Sequence, residues 1–459
     1  MTADFTSSQL SDFLSFKNGK SSPERNDEAP YPVFGSNGLI GYADKTNSDQ
    51  NTIVIGRVGS YCGSVQFSDT QCWVSDNAII CTSKNPEESL FWYYFLKLSD
   101  LNQYRSGSGQ PLLNQNTLNS ITCKVPAALS ERIQIGEVLA SLDRKQNLNH
   151  QINQTLEQMA QAIFKSWFVD FEPVKAKIAA LKAGGSEEDA LHAAIQAISG
   201  KDEAQLTRLQ TEHPEQYAEL RATAELFPSA MQDSELGAIP EGWGVLGLGE
   251  LCETITKGTT PKKTDIAEAS DPANVPFIKV KDIADTGEII QEGLNTIPDS
   301  VHRKTLKRSI LKTDDLLFSI AGTIGRVAIV DTTLESSNTN QAVGIIRLRE
   351  QEKYLSLVWQ ILLSDRTQNE IRSKVVQGVQ ANASLKNLRD IRVLLPYNYL
   401  VEIANSKLDA LLRQILSNRT QSRNIIEIRD TILPKLLSGE LSVTKAEDQI
   451  ADIEEPANV

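Results

Sequence analysis

LNSITCKVP at 118–126 and LRDIRVLLP at 388–396 are one phrase written twice, and the reading of the whole chain turns on that repetition. Leu118, Ile121 and Pro126 recur as Leu388, Ile391 and Pro396, each after an interval of 270 residues. Just upstream, Gly107-Ser108-Gly109-Gln110 is answered by Gly378-Val379-Gln380. Spacing preserved at several positions points to duplication of one architectural unit. A chain of 459 residues also exceeds what one ordinary hydrophobic core serves, so two or three domains are expected.

Within each copy, β-branched runs broken by glycine read as strands joined by tight turns. The first copy has Thr52-Ile53-Val54-Ile55-Gly56-Arg57-Val58-Gly59 followed by Gly63-Ser64-Val65. The second has Asp315-Leu316-Leu317-Phe318-Ser319-Ile320-Ala321-Gly322-Thr323 followed by Gly325-Arg326-Val327. Helices flank both. Taken alone, this pattern describes a mixed α/β domain and names no function.

After each globular stretch the hydrophobic period becomes seven. A long amphipathic helix is expected at about 130–168 and another at about 400–437. In the first, Ile135, Leu142, Asn149, Leu156 and Ile163 form one row, with Val138, Lys145, Ile152, Met159 and Ser166 as its partner row. In the second, Val401, Leu408, Ile415, Ser422, Arg429 and Leu436 run beside Ala404, Leu411, Asn418, Ile425 and Ile432. Such stripes pack against a second helix, here antiparallel, because a whole domain lies between the two. At 1.5 Å per residue each helix spans about 58 Å, the length of a spacer. Lys145, Asn149, Asn418 and Ser422 interrupt the seams with polar groups that either fix register or face solvent.

The expected fold class is therefore α/β, as mixed α+β globular domains: two duplicated domains separated by two long, antiparallel coiled-coil helices. The boundaries read as 1–127 for the first domain, 128–174 for the first helix and 175–235 for an acidic helical connector. The second domain covers 236–396, the second helix 397–441, and an acidic tail expected to be disordered covers 442–459.

The net charge of −13 is unevenly spread. Eleven acids and three bases lie between Ser186 and Leu236, and five acids and one base between Lys445 and Val459. The remainder is close to neutral and permits local positive surfaces. No stretch approaches the roughly 18 to 20 apolar residues that cross a bilayer, and MTADFTSSQL at 1–10 has no basic region leading into an apolar run. The chain reads as cytoplasmic, without a membrane partner. Cys62, Cys72, Cys81, Cys123 and Cys252 form neither a ligand pair nor a disulfide framework and read as buried thiols.

Three further strings coincide with this plan: AIFKSWFVDFEPV at 162–174, SELGAIPEGW at 234–243 and LPKLLSGEL at 433–441. With the duplicated domain-and-helix order they make the chain resemble, over nearly its whole length, the DNA specificity subunits of type I restriction-modification systems. The resemblance implies that each globular domain is a target-recognition domain reading one half of a bipartite, asymmetric site on double-stranded DNA. It further implies that the paired helices set the spacing and help recruit two modification methyltransferase subunits, with two restriction motor-nuclease subunits in the full complex. No cofactor is expected in this chain: S-adenosylmethionine belongs to the modification subunits, ATP and Mg2+ to a restriction subunit.

Arginine, asparagine and glutamine make paired contacts with base edges, while lysine and arginine position phosphates. In the first domain, Arg57 beside a glycine turn and Arg105, Gln110, Asn114 and Asn116 around GSGQPLLNQN at 107–116 are the candidates. The second domain carries a basic run, Arg303, Lys304, Lys307, Arg308 and Lys312, with Lys279, Lys281 and Arg326 elsewhere. Gln377, Gln380 and Asn382, near Asn387 and Arg389, repeat the polar cluster around Gln110, and Ser384 stands where the 270-residue offset places Asn114. Turn stabilisation and an ordinary solvated surface are the competing readings of these residues.

Catalytic signatures are missing from the sequence. There is no Asp/Asn-Pro-Pro-aromatic string, and Gly258-Thr259-Thr260-Pro261-Lys262-Lys263-Thr264 lacks the glycine that precedes lysine in a phosphate loop. Pro298-Asp299 is not followed by an Asp/Glu-x-Lys element, and His150, His192, His213 and His302 form no cluster. The chain is expected not to be an enzyme. Two alternatives stay open: a specificity subunit of a methylation-only or differently assembled system, and a coiled-coil adaptor that binds proteins.

Overall fold

The computed structural model describes residues 4–106, 112–375, 382–396 and 399–454. It divides into two units, 1–150 with 420–459 and 151–419.

In unit 1, the two ends of the globular stretch meet in one antiparallel ladder. β1 (Phe5–Gln9) leads through α1 (Leu10–Phe13) into β2 (Leu14–Asn18), β3 (Tyr31–Gly35), β4 (Gly38–Ala43), β5 (Thr52–Gly56) and β6 (Val65–Ser68). Then follow β7 (Trp73–Val74), β8 (Ala78–Ser83), α2 (Ser89–Leu98), α3 (Gln115–Ser120), β9 (Thr122–Pro126) and the start of α4 (Leu129–Phe164). β1 pairs β9 from Phe5 opposite Pro126 to Gln9 opposite Thr122. One sheet has the order β2-β8-β5-β6, the other β4-β3-β7 with β3 and β7 parallel. The unbroken apolar run of β5 follows from its position, since a strand covered on both faces has no reason to alternate. Ile53 and Ile55 enter a core with Phe91, Trp92 and Leu139, while Val54 faces a smaller one with Phe34, Val74 and Ile80.

The connector folds as four helices: α5 (Glu172–Lys182), α6 (Glu187–Ser199), α7 (Glu203–Glu212) and α8 (Pro214–Glu225). Gly200 ends α6 with φ +65°, and Gly184-Gly185 and His213-Pro214 mark the other breaks between these helices. Capping boxes at Ser186 and Asp202 start α6 and α7, and Leu191, Ala194, Ile195, Leu206 and Ala224 form a core of their own.

Unit 2 repeats the plan of unit 1. After the hairpin β10 (Met231–Ser234) and β11 (Gly237–Pro240) come β12 (Trp243–Gly247), α9 (Leu248–Leu251), β13 (Cys252–Lys257), α10 (Lys263–Ala267), β14 (Ala273–Ile278) and β15 (Asn295–Pro298). They are followed by α11 (Asp299–Lys304), β16 (Leu316–Ser319), β17 (Val327–Ile329), β18 (Asn338–Thr339) and β19 (Val343–Leu348). α12 (Gln351–Leu363), α13 (Asp365–Lys374), α14 (Leu385–Arg389), β20 (Arg392–Pro396) and α15 (Leu400–Ser438) complete the series, with α16 (Val443–Glu454) in the other unit. The sheets run β13-β19-β16-β17 and β15-β14-β18, again with one parallel pair, and β12 pairs β20 from Trp243 opposite Pro396 to Gly247 opposite Arg392. The expected mixed α/β fold with duplicated domains and two long helices is the fold observed.

α4 and α15 contain 36 and 39 residues. In unit 1, Arg429 Nη1 meets Asp143 at 2.8 Å, and Asn149 Nδ2 donates to Gln421 and Ser422 at 2.8 and 3.2 Å. In unit 2, Asn153 accepts from Asn418 at 2.8 Å and donates to the Ile415 carbonyl at 3.3 Å. Ile135, Leu142, Leu408, Ile415, Ile425, Ile432 and Leu436 are buried, and Leu156 and Ile163 are half-buried. The partner row expected in α4 requires correction: Ile152 and Met159 are 38 and 48% exposed, and Asn153 and Ala160 are buried instead. Val138 and Leu139 are both buried beside Ile135 and Leu142 in the core of unit 1, and only further along α4 does the buried row move by one position, from Ile152 and Met159 to Asn153 and Ala160. In α15, Leu412 is buried and Leu411 half-buried. The expected disordered tail is also corrected over Val443–Glu454, a helix whose Ala446 lies in the core of unit 1.

Candidate nucleic-acid interface

In unit 1, the chain leaves β5 at Gly56 and returns as β6 through a turn that glycine permits. A Cβ on Gly56 would lie 2.2 Å from the Tyr61 carbonyl, and Gly63, at φ +89°, would meet the Asn102 amide at 2.6 Å. The Ser36 hydroxyl accepts from the amides of Arg57 and Val58, both at 3.3 Å, and Ser64 Oγ donates to the Ser36 carbonyl at 2.6 Å. A second loop lies against this turn. Leu113 N donates to the Arg57 carbonyl at 3.0 Å, Val58 bridges Leu112, and Ser106 and Leu112 exchange amide hydrogen bonds at 2.9 and 3.0 Å. Arg57 is thus brought, from far away in sequence, onto a loop adjoining the one that carries Arg105 and Asn114.

Unit 2 builds the same pair of loops. Gly325 N donates to the Ser319 carbonyl at 3.0 Å, Ala383 N donates to the Ile320 carbonyl at 2.8 Å, and Ala321 bridges Asn382. Ser319 Oγ closes the turn, accepting from Arg326 N at 2.8 Å and donating to the Thr323 carbonyl at 2.6 Å.

The individual candidates differ in what their side chains are free to do. Asn114 and Ser384 are both N-caps: Asn114 Oδ1 accepts from Thr117 N at 2.9 Å and Ser384 Oγ from Asn387 N at 3.1 Å. Arg105 is exposed and rests on Asn102 Oδ1 at 3.0 Å, while Asn116 and Asn382 are exposed. Arg326 is engaged within the fold, with Nε 2.8 Å from Asp285 and Nη1 2.7 Å from the Ile283 carbonyl. Gln110, Gln377 and Gln380 lie outside the described residues. Tyr61, which sequence reading left out, is 51% exposed in the glycine turn beside Arg57. An aromatic residue between Gly59 and Gly63 was its available signal.

The basic run lies on α11 and the turn after it, where Val301 and Leu306 share a small core with Phe277 and Ile297. That packing turns the charged residues outward. Arg303 pairs with Asp299 one helical turn away at 2.7 Å, Lys279 Nζ donates to Asn295 at 2.8 Å, and Lys281 lies 3.3 Å from Asp282. Lys304, Lys307, Arg308 and Lys312 are exposed, with no ion pair among the described residues. Beneath them His302 is buried against Asn338, at 3.2 Å, and burial lowers its pKa from the ordinary histidine value.

Among the described residues no group of three His, Cys, Asp or Glu is placed to hold a metal ion. All five cysteines are free and buried, and burial pushes Cys123 up to about 11 and Cys252 up to about 12. No described helix is long and apolar enough to cross a membrane.

Two copies of one loop-bearing α/β domain, each joined to a long helix, define a duplicated recognition protein. The family model for the type I restriction modification DNA specificity domain matches residues 3–158 and 240–427. The HindI specificity subunit of Haemophilus influenzae is 33% identical over 343 residues, covering 73% of this chain and 72% of that protein. The MjaIX specificity subunit of Methanocaldococcus jannaschii is 24% identical over 362 residues, covering 77% of this chain and 69% of that protein. The crystal structure of the type I restriction-modification S subunit from M. genitalium shares the fold, with a TM-score of 0.56, 16% identity and coverage of 95% of this chain and 96% of that one. The chain belongs to the type I restriction-modification DNA specificity family, as a DNA-binding specificity subunit and not an enzyme in its own right.

Proposed function

We propose that unit 1 and unit 2 each read one half of a bipartite, asymmetric DNA site, and that α4 and α15 act as the ruler between the halves. The observation that carries this reading is the repeated loop pair, a glycine turn joined to a second polar loop, built once in each unit with different side chains. Phosphate contacts would come from exposed cations such as Lys304 and Lys307, and sequence selection from the loop residues. Two modification subunits, which would bind S-adenosylmethionine, take the target adenine out of the duplex. Two restriction motor-nuclease subunits, using ATP and Mg2+, would join them in a full complex.

The test is to purify the chain with its modification subunits and map adenine methylation on DNA, for the wild type and for a variant with one extra helical turn in α4 and in α15. The wild type is expected to mark a split motif with one spacer. A turn rises about 5.4 Å and a base pair about 3.4 Å, so the lengthened variant should prefer a spacer one or two base pairs longer. An undivided motif would overturn the two-half reading, and an unchanged spacer in an active complex would overturn the ruler.

A further inference from the structure

Arg419, near the middle of α15, is a buried arginine that belongs to neither the apolar seam nor the loop pair. Its Nη1 donates to the Gly287 carbonyl at 3.0 Å, and its Nη2 donates to the Thr286 carbonyl at 2.7 Å and to Glu157 of α4 at 3.1 Å. A charged group this deeply covered persists only where acceptors are built around it. Two of them are carbonyls of a tight hairpin turn, in which Ile283 bridges Ile289 and Gly287 N donates to the Ala284 carbonyl at 3.0 Å. The turn has little freedom to move: Gly287 has φ +75°, and a Cβ there would lie 2.7 Å from the Val327 carbonyl.

Arg326 holds the same turn from the other side, through Asp285 and the Ile283 carbonyl. Its own amide is bound by Ser319 at the base of the glycine turn that bridges Asn382. An unbroken set of hydrogen bonds therefore links α15 to the loop pair of unit 2. Unit 1 carries a different side chain at the corresponding place. The 270-residue offset puts Asn149 where Arg419 stands, and Asn149 donates to Gln421 and Ser422.

We propose that Arg419 is a positioning residue for DNA reading: it fastens the spacer helix to the turn on which Arg326 aligns the glycine loop of unit 2. It thereby sets where the second half-site is read relative to the helix. The inference rests on the two-half reading above. It adds that the two halves are held by different devices, and that unit 2 can be loosened alone.

Arg419→Met keeps the length of the side chain and removes its donors. The full chain is assembled with its modification subunits, and methylation is mapped on a DNA library with degenerate half-sites and variable spacers. Loss of hydrogen bonds to a charged group should lower discrimination at the second half-site, and against neighbouring spacer lengths, by about tenfold or more, with the first half-site unchanged. An unchanged motif and spacer, or equal loss at both half-sites, overturns the proposal. Should Arg419→Met fail to assemble, Arg419→Lys decides: it keeps the charge without the planar fork, and the same one-sided loss is required of it. A wild type that marks no split motif refutes the two-half reading, whereas a split motif indifferent to Arg419 refutes this inference alone.

Discussion

Units 1 and 2 agree in their strand ladders and differ in some connections and in the side chains that complete them. The amide of Leu10 donates to the Ile121 carbonyl at 2.9 Å, and that of Leu248 to the Ile391 carbonyl at 2.8 Å. Where β5 pairs with β8, Ile53 stands opposite Cys81; where β16 pairs with β19, Leu316 stands opposite Ile346. One residue away, the corresponding positions are Thr52 and Thr82 in unit 1 but Asp315 and Arg347 in unit 2. Only residues 44–51 connect β4 to β5, whereas residues 299–315, carrying α11 and the basic run, connect β15 to β16. Ladder contacts recur because each sheet needs them. Connections and buried polar pairs diverge because several solutions satisfy the same backbone.

Breaking the buried pair should separate the units most. Asp315 accepts from Arg347 at 2.7 and 2.6 Å and from Lys312 N at 2.8 Å, while Thr52 only donates to the Asp49 carbonyl at 2.7 Å and meets Ser48 Oγ at 2.6 Å. Asp315→Asn leaves a guanidinium without its counter-charge in a covered site, a loss of about 3–5 kcal/mol. Thr52→Val removes one neutral donor and should cost about 1 kcal/mol. Urea unfolding followed by hydrogen exchange in each unit measures both, and similar losses would mean that the buried pair of unit 2 is no more consequential than a hydroxyl.

The inserted connection gives a functional contrast. Replacing Lys304, Lys307 and Arg308 with glutamine should weaken DNA binding across unrelated sequences. If all three lie on phosphates, the slope of log affinity against log salt should become shallower by about 2.7. Glutamine in place of Lys45, in the short connection of unit 1, serves as the control. An unchanged slope for the triple variant would make the basic run an ordinary solvated surface.

What could be read from sequence follows the same division. The 270-residue repeat was legible because leucine, isoleucine and proline fix a short helix, its exit and a strand end at Leu118, Ile121 and Pro126 and again at Leu388, Ile391 and Pro396. The pairing of β12 with β20, matching β1 with β9, escaped notice because Phe5–Gln9 and Trp243–Gly247 share no string. In α4, large apolar residues misled the reading: Ile152 and Met159 look like seam residues, yet the seam uses Asn153 and Ala160. A polar residue with a partner across the seam and a small one that permits close approach are hard to recognise without the second helix. Arg326 drew attention as one more cation of the second domain, but its acceptors, Asp285 and the Ile283 carbonyl, become neighbours only in the fold.

The smallest expected difference is one of pH, and it too comes from the inserted connection. His302 is 3% exposed, lies against Asn338, and has its pKa lowered chiefly by desolvation, with Asp299 opposing and Arg303 assisting. The unfolded chain takes up a proton as pH falls through the ordinary histidine value of about 6.5, whereas the folded chain does so only at lower pH. The contribution is therefore fully present above about 6.5 and is lost as pH falls from there towards the folded pKa. Unit 1 contains one histidine, the exposed His150, so acidification should raise hydrogen exchange around residues 299–309 more than around residues 44–51. In His302→Gln that extra acid sensitivity should vanish. Its persistence would place the pH dependence on carboxylates shared by both units and remove His302 from the comparison.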